Sequence, residues 1–111
     1  MSEPIKMTRA EWTAEGYRRF GSDVAAWRFV CPCCGHVASV ADWKAAGATD
    51  GEIAFSCIGR RVGPAREAFG EGVGPCDYAG GGLFRLNPVH VAYGERTVEV
   101  FDFAGPVEVK L

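Results

Sequence analysis

Met7, Ala10, Ala14, Tyr17 and Phe20 recur at helical spacing and predict a helix from about Arg9 to Phe20. Thr8 and Glu11 stand three apart at its start, the spacing of a capping box in which each side chain satisfies the other's backbone N–H. Glu15 can pair with Arg18 or Arg19 on the wetter side. Gly16 opposes the helix by about 1 kcal/mol relative to Ala, and Gly21-Ser22-Asp23 ends it. The period then changes. Trp27 to Val30 alternates as a short strand running into the first cysteines. Ser39 and Asp42 repeat the capping spacing ahead of a second short helix, with Val40, Trp43 and Ala46 or Gly47 on one face. Thr49-Asp50-Gly51 reads as a turn, and Glu52 to Ile58 as a strand with Ile53, Phe55 and Cys57 on one side.

Beyond the triple glycine at 80–82, three strand-like runs follow: Leu83 to Leu86, Val89 to Tyr93, and Arg96 to Phe103. Pro88 interrupts the ladder or places it at an edge, and Gly94-Glu95 suits a two-residue hairpin turn with glycine first. Val107, Val109 and Leu111 alternate again as a last strand. The expected fold is α+β: two short helices against a small antiparallel sheet, with a core of Trp27, Phe29, Trp43, Phe55, Phe84 and Phe101.

At 111 residues the chain accommodates one domain, 1–111, and is too short for two comfortable ones. Its 48% hydrophobic and 23% charged residues are those of a globular protein. Eight of its 15 glycines lie between Gly59 and Gly82, which marks that stretch as loop. A net charge of −2 offers no global attraction to nucleic acid, and it is too small for an acidic mimic of one. No apolar run approaches the length of a membrane span or forms a secretory signal, so a cytoplasmic location is expected.

In a reducing compartment, five cysteines read as metal ligands or catalytic thiols sooner than as disulfides. Cys31-Pro32-Cys33-Cys34-Gly35-His36 contains a Cys-x-x-Cys knuckle, in which a tight turn aims two sulfurs at one ion. Structural zinc takes four ligands in a tetrahedron, and Cys57 and Cys76 complete the set after gaps of 22 and 18 residues, a wider spacing than a standard zinc ribbon uses. The expectation is one structural Zn²⁺ per chain on Cys31, Cys34, Cys57 and Cys76. Cys33, between the spaced pair, is the spare thiol. His36 is the alternative ligand should Cys57 or Cys76 prove too remote, and His90 falls in a strand pattern.

The segments Trp27 to His36, Phe55-Ser56-Cys57-Ile58-Gly59-Arg60, and Cys76-Asp77-Tyr78-Ala79-Gly80-Gly81-Gly82-Leu83-Phe84 followed by Asn87-Pro88, together with Glu11-Trp12 and Glu15-Gly16 ahead of Arg19-Phe20, resemble a family of small phage and prophage proteins. That family has a zinc-ribbon-like cysteine pattern and no settled function, and the similarity runs from residue 11 through Phe103. It implies the four cysteines as the metal set and no catalytic residue. It also implies a phage setting, in which small accessory proteins bind and disable host machinery, CRISPR effectors included.

Three functions are weighed. The first is a non-enzymatic zinc-stabilised binding protein of anti-CRISPR type, in the host cytoplasm, that inhibits a host protein or nucleoprotein complex; Trp12, Trp43, Arg60, Arg61 and Arg66 are the residue types that anchor interfaces. The alternative is a zinc-ribbon nucleic-acid-binding or transcription-associated protein, using Arg60, Arg61 and Arg66 on phosphates or bases; the acidic balance disfavours it. The third, an enzyme, is set aside. The glycine runs lack the ending of a phosphate loop, and four cysteines leave no open position on a metal for a reactive water.

Overall fold

The computed structural model describes residues 4–62, 67–68, 74–81 and 86–104. Its elements in chain order are β1 (Ile5–Thr8), α1 (Arg9–Phe20), β2 (Arg28–Val30), β3 (Val37–Ser39), α2 (Val40–Ala45), β4 (Val89–Tyr93), β5 (Arg96–Val100) and β6 (Asp102–Phe103), with short 3-10 turns at Val24–Ala26, Asp50–Glu52 and Ile58–Arg60. The α+β class holds. Among the described residues the expected antiparallel sheet is divided into two three-stranded sheets, ordered β1-β4-β5 and β3-β2-β6; their pairings are antiparallel except that β1 runs parallel to β4.

Both helices start where their caps dictate. Thr8 Oγ1 accepts from the Glu11 N–H at 3.0 Å while Glu11 accepts from the Thr8 N–H at 2.8 Å, and Ser39 and Asp42 exchange the same pair of bonds at 3.1 and 2.9 Å. Val40 and Trp43 of α2 are buried as expected. Glu15 holds both Arg18 and Arg19, and the two guanidiniums, Arg18 foremost, draw its carboxyl down to about 2.

The inward face of α1 is a correction. Ala10, Ala14 and Tyr17 are exposed, and the helix packs through Trp12, Gly16 and Phe20, four residues apart. Large rings decide the outcome: Trp12 stacks near Phe29 and Phe103 with ring centroids 6.1 and 5.6 Å away. Gly16, read from sequence as a weakness, is what admits Trp27, because a Cβ there would lie 2.2 Å from the Trp27 ring.

The strand expected over Glu52 to Ile58 does not form. The Glu52 carbonyl accepts from both Phe55 and Ser56 at 3.1 Å, coiling the chain, and Ala54 sits at φ 59 with its carbonyl taking the Phe101 N–H at 2.7 Å. Burial is accordingly continuous from Ser56 to Gly59, without alternation, and Phe55 is only half-buried. The Arg96 to Phe103 run also divides. Phe101 leaves the ladder to bond Ala54, so Arg96–Val100 pairs with β4 while Asp102–Phe103 crosses to pair with β2. Tyr93 and Arg96 pair across the Gly94-Glu95 turn, with Gly94 at φ 63.

Trp27, Phe29, Trp43 and Phe101 form the core as expected, joined by Val89, Val91 and Phe103. Phe84, Leu83 to Arg85 of the expected strand, and the expected last strand over Val107 to Leu111 lie outside the described residues. Among the described residues, no helix is long and apolar enough to cross a membrane.

Candidate metal centre

The knuckle is a closed turn fixed by its own backbone. The Gly35 N–H bonds the Cys31 carbonyl at 2.9 Å with Gly35 at φ 79, and the Cys31 N–H bonds the His36 carbonyl at 3.0 Å. β2 delivers the turn and β3 leaves it, so Cys31 and Cys34 are anchored to the core through Phe29 and Ala38. Cys57 arrives at the mouth of the Ile58–Arg60 turn, where a strand end was expected. It is tied to the third arm by its N–H, which bonds the Tyr78 carbonyl at 3.0 Å.

The Sγ atoms of Cys31, Cys34, Cys57 and Cys76 all lie within 4.8 Å of one another. Cys31 to Cys76 is 3.9 Å and Cys34 to Cys57 is 3.7 Å. A tetrahedron with metal–sulfur bonds of about 2.3 Å has sulfur–sulfur edges of about 3.8 Å, whereas a disulfide needs about 2.05 Å. The thiols are free, and their spacing is that of ligands around one ion. Cys31, Cys57 and Cys76 are buried and Cys34 is half-buried.

Backbone amides face these sulfurs: Cys33 N lies 3.4 Å from the Cys31 Sγ, the amides of Gly59 and Cys76 serve Cys57, and the Tyr78 amide serves Cys76. Such donors favour thiolate over thiol. As free thiols the four compete. The contact with Cys31 pulls the Cys57 thiol down, the same contact and then burial push Cys31 up, and burial drives Cys76 up to about 12. Held as thiolates at this distance, the four sulfurs would need a cation between them, and a divalent ion favours the deprotonated form of each, which opposes the upward shifts of Cys31 and Cys76.

The remaining sequence candidates stand apart. Cys33 turns away from the four, its Sγ donating to the Ala68 carbonyl at 2.7 Å. His36 contributes its carbonyl to the knuckle and its ring is outside the cluster. His90 lies in β4, on the sheet face it shares with Lys6 and Thr97. Of the arginines, Arg61 pairs with Glu52 at 2.8 Å and Arg60 donates to the Asp77 carbonyl at 3.3 Å; Arg66 lies outside the described residues.

Sequence reasoning missed Gly59, whose absent side chain sets the spacing of two arms. A Cβ there would stand 2.1 Å from the Cys76 carbonyl oxygen and 2.9 Å from the Cys76 backbone N and C. These are backbone atoms held by their own bonds, so Gly59→Ala should destabilise the fold by about 2–3 kcal/mol in urea unfolding. A cost below about 0.5 kcal/mol, the level of an ordinary surface change, would show that the Cys57 and Cys76 arms are not locked together.

Among known proteins, the model of a family described as VVA0879-like matches residues 8–104, which include all four clustered cysteines. No curated protein and no solved structure matches the chain.

Proposed function

The chain belongs to the VVA0879-like family, and we propose that it is a non-enzymatic binding domain closed by one structural zinc ion on Cys31, Cys34, Cys57 and Cys76. One observation carries the metal: four sulfurs from three separate segments converge within 4.8 Å. Four thiolates fill a tetrahedral shell, leaving no position for a water or substrate, so the ion holds the fold and performs no chemistry. Zinc is favoured over iron, which also accepts four sulfurs in a tetrahedron, because zinc has no redox chemistry to constrain and is the usual occupant of closed cysteine sites.

The finer reading is that the domain acts in the cytoplasm by docking on a host protein or nucleoprotein complex and blocking it, as an anti-CRISPR protein of phage origin does. The similarity to phage and prophage proteins supports that setting. The nucleic-acid reading is weaker, since the Arg61 charge is matched by Glu52 and the net charge of −2 gives the chain no general attraction to phosphates.

Elemental analysis of the purified, reduced protein should give one zinc per chain, and a folded sample without metal would end the zinc reading. For the partner, the zinc-loaded chain is added to a purified CRISPR effector with its target DNA. Co-elution with the effector and loss of cleavage are expected; full cleavage with no co-elution removes the anti-CRISPR reading. A mobility shift of bare DNA that weakens with salt would favour the nucleic-acid alternative instead.

A further inference from the structure

The four clustered sulfurs are not equivalent. Cys31, Cys57 and Cys76 are at most 3% exposed, whereas Cys34 is half-buried and is the one that solvent reaches. Backbone amides serve the sulfurs of Cys31, Cys57 and Cys76. A sulfur so bonded is a poorer nucleophile, because nucleophilicity falls as the thiolate is stabilised. The Cys34 Sγ instead meets another sulfur, the Cys57 Sγ, at 3.7 Å.

Cys33, next in the chain and also half-buried, is poorly placed to take part. Its Sγ is engaged by the Ala68 carbonyl at 2.7 Å, turned away from the cluster. Adjacent residues also hold their Cα atoms about 3.8 Å apart, below the separation of about 4.4–6.8 Å that a disulfide prefers.

We infer that the cluster is a peroxide-responsive switch, in which a hydroperoxide oxidises Cys34, Cys57 closes a disulfide onto it, and the ion is released. The inference rests on the zinc reading above. The Cys34 thiolate attacks one oxygen of the peroxide, the O–O bond breaks and hydroxide leaves, so the sulfur is oxidised to a sulfenic acid and the peroxide is reduced. The Cys57 thiolate then attacks the Cys34 sulfur; the S–S bond forms, the S–O bond breaks, and a second hydroxide leaves. Two thiolates and one hydrogen peroxide thus give one disulfide and two hydroxide ions.

Cys31 and Cys76 alone do not fill a four-coordinate shell, so the ion departs. The chain stays tied all the same. The new bond joins the knuckle to the Cys57 arm, and the Cys57 N–H keeps its bond to the Tyr78 carbonyl, two residues past Cys76. Oxidation therefore releases the ion and retains more of the fold than chelation does, and a dithiol reductant reopens the site.

The test starts from reduced protein whose zinc content has been measured, treated with one equivalent of hydrogen peroxide beside a chromogenic zinc indicator. About one zinc per chain should be released, and the thiols of the denatured chain should fall from five to three. Peptide mapping by mass spectrometry should find Cys34 joined to Cys57. Cys33→Ser should respond as the parent does, dithiothreitol with added zinc should restore the metal, and the oxidised protein should melt above the chelator-stripped, reduced one. Zinc retained through the treatment, a disulfide through Cys33, or Cys31 joined to Cys34 would overturn the switch and leave the metal reading standing. A folded, reduced sample without zinc ends both. The parent mapping decides even if Cys33→Ser fails to fold.

Discussion

Treatment with a strong chelator should lower the thermal midpoint by tens of degrees and leave a remnant that keeps part of its helix. Structural zinc contributes about 10–16 kcal/mol in small peptides, while a whole domain is stable by about 5–15 kcal/mol. In a domain of this size, each kcal/mol moves the midpoint by about 4–8 °C. Losing even a few kcal/mol of the metal's share therefore has a large thermal effect. Without the ion, the sulfurs of Cys31, Cys57 and Cys76 return to buried thiols, and the bonds that would join the knuckle to the Cys57 and Cys76 arms are lost. The direct ring contacts of Trp43 with Phe29 and Phe101 support the remnant. Circular dichroism melts with and without chelator, after metal analysis confirms stripping, measure the change; an unchanged midpoint contradicts the metal as staple.

The cysteines should divide sharply on substitution. Cys31→Ser, Cys34→Ser, Cys57→Ser and Cys76→Ser each leave three sulfurs for a four-coordinate ion, and each should abolish metal retention and weaken the cooperative unfolding transition at least as far as chelation does. Cys33→Ser is different, because a serine hydroxyl can still donate to the Ala68 carbonyl that the Cys33 thiol now reaches. Its cost should stay within about 1 kcal/mol. Metal content and urea transitions of the five variants check this together. Damage from Cys33→Ser equal to that from Cys31→Ser would place the wrong sulfur in the shell.

What could be read from the sequence was local. The capping boxes at Thr8 and Ser39, the knuckle at Cys31 and Cys34, and the Gly94 hairpin are each specified by a few adjacent residues, and each stands as expected. The grouping of Cys57 and Cys76 with the knuckle followed from ligand number. What failed depended on distant partners. Ile53, Phe55 and Cys57 alternate like a strand, yet the segment coils because Ala54 serves the Phe101 N–H from the far end of the chain. β1 is four residues long and forms by pairing with β4, which no local pattern announces. The inward face of α1 was set by which ring, Trp12 or Tyr17, found aromatic neighbours on the second sheet. Tyr17 does touch Trp27, edge-on at 5.3 Å, but from the exposed side.

The passage of one segment through both sheets has a consequence for synthesis. Among the described residues β1 finds its neighbour in β4 and β2 gains its second neighbour in β6, both drawn from the stretch between Val89 and Phe103. A chain emerging from the ribosome N-terminus first thus has all four clustered sulfurs outside, Cys76 included, before either sheet can be completed. Pairings this far apart in sequence close slowly, because the intervening chain must be ordered first. If the proposed ion is captured early, it joins the Cys31–Cys34 turn to Cys57 and Cys76 before the late strands arrive, and these then need only dock.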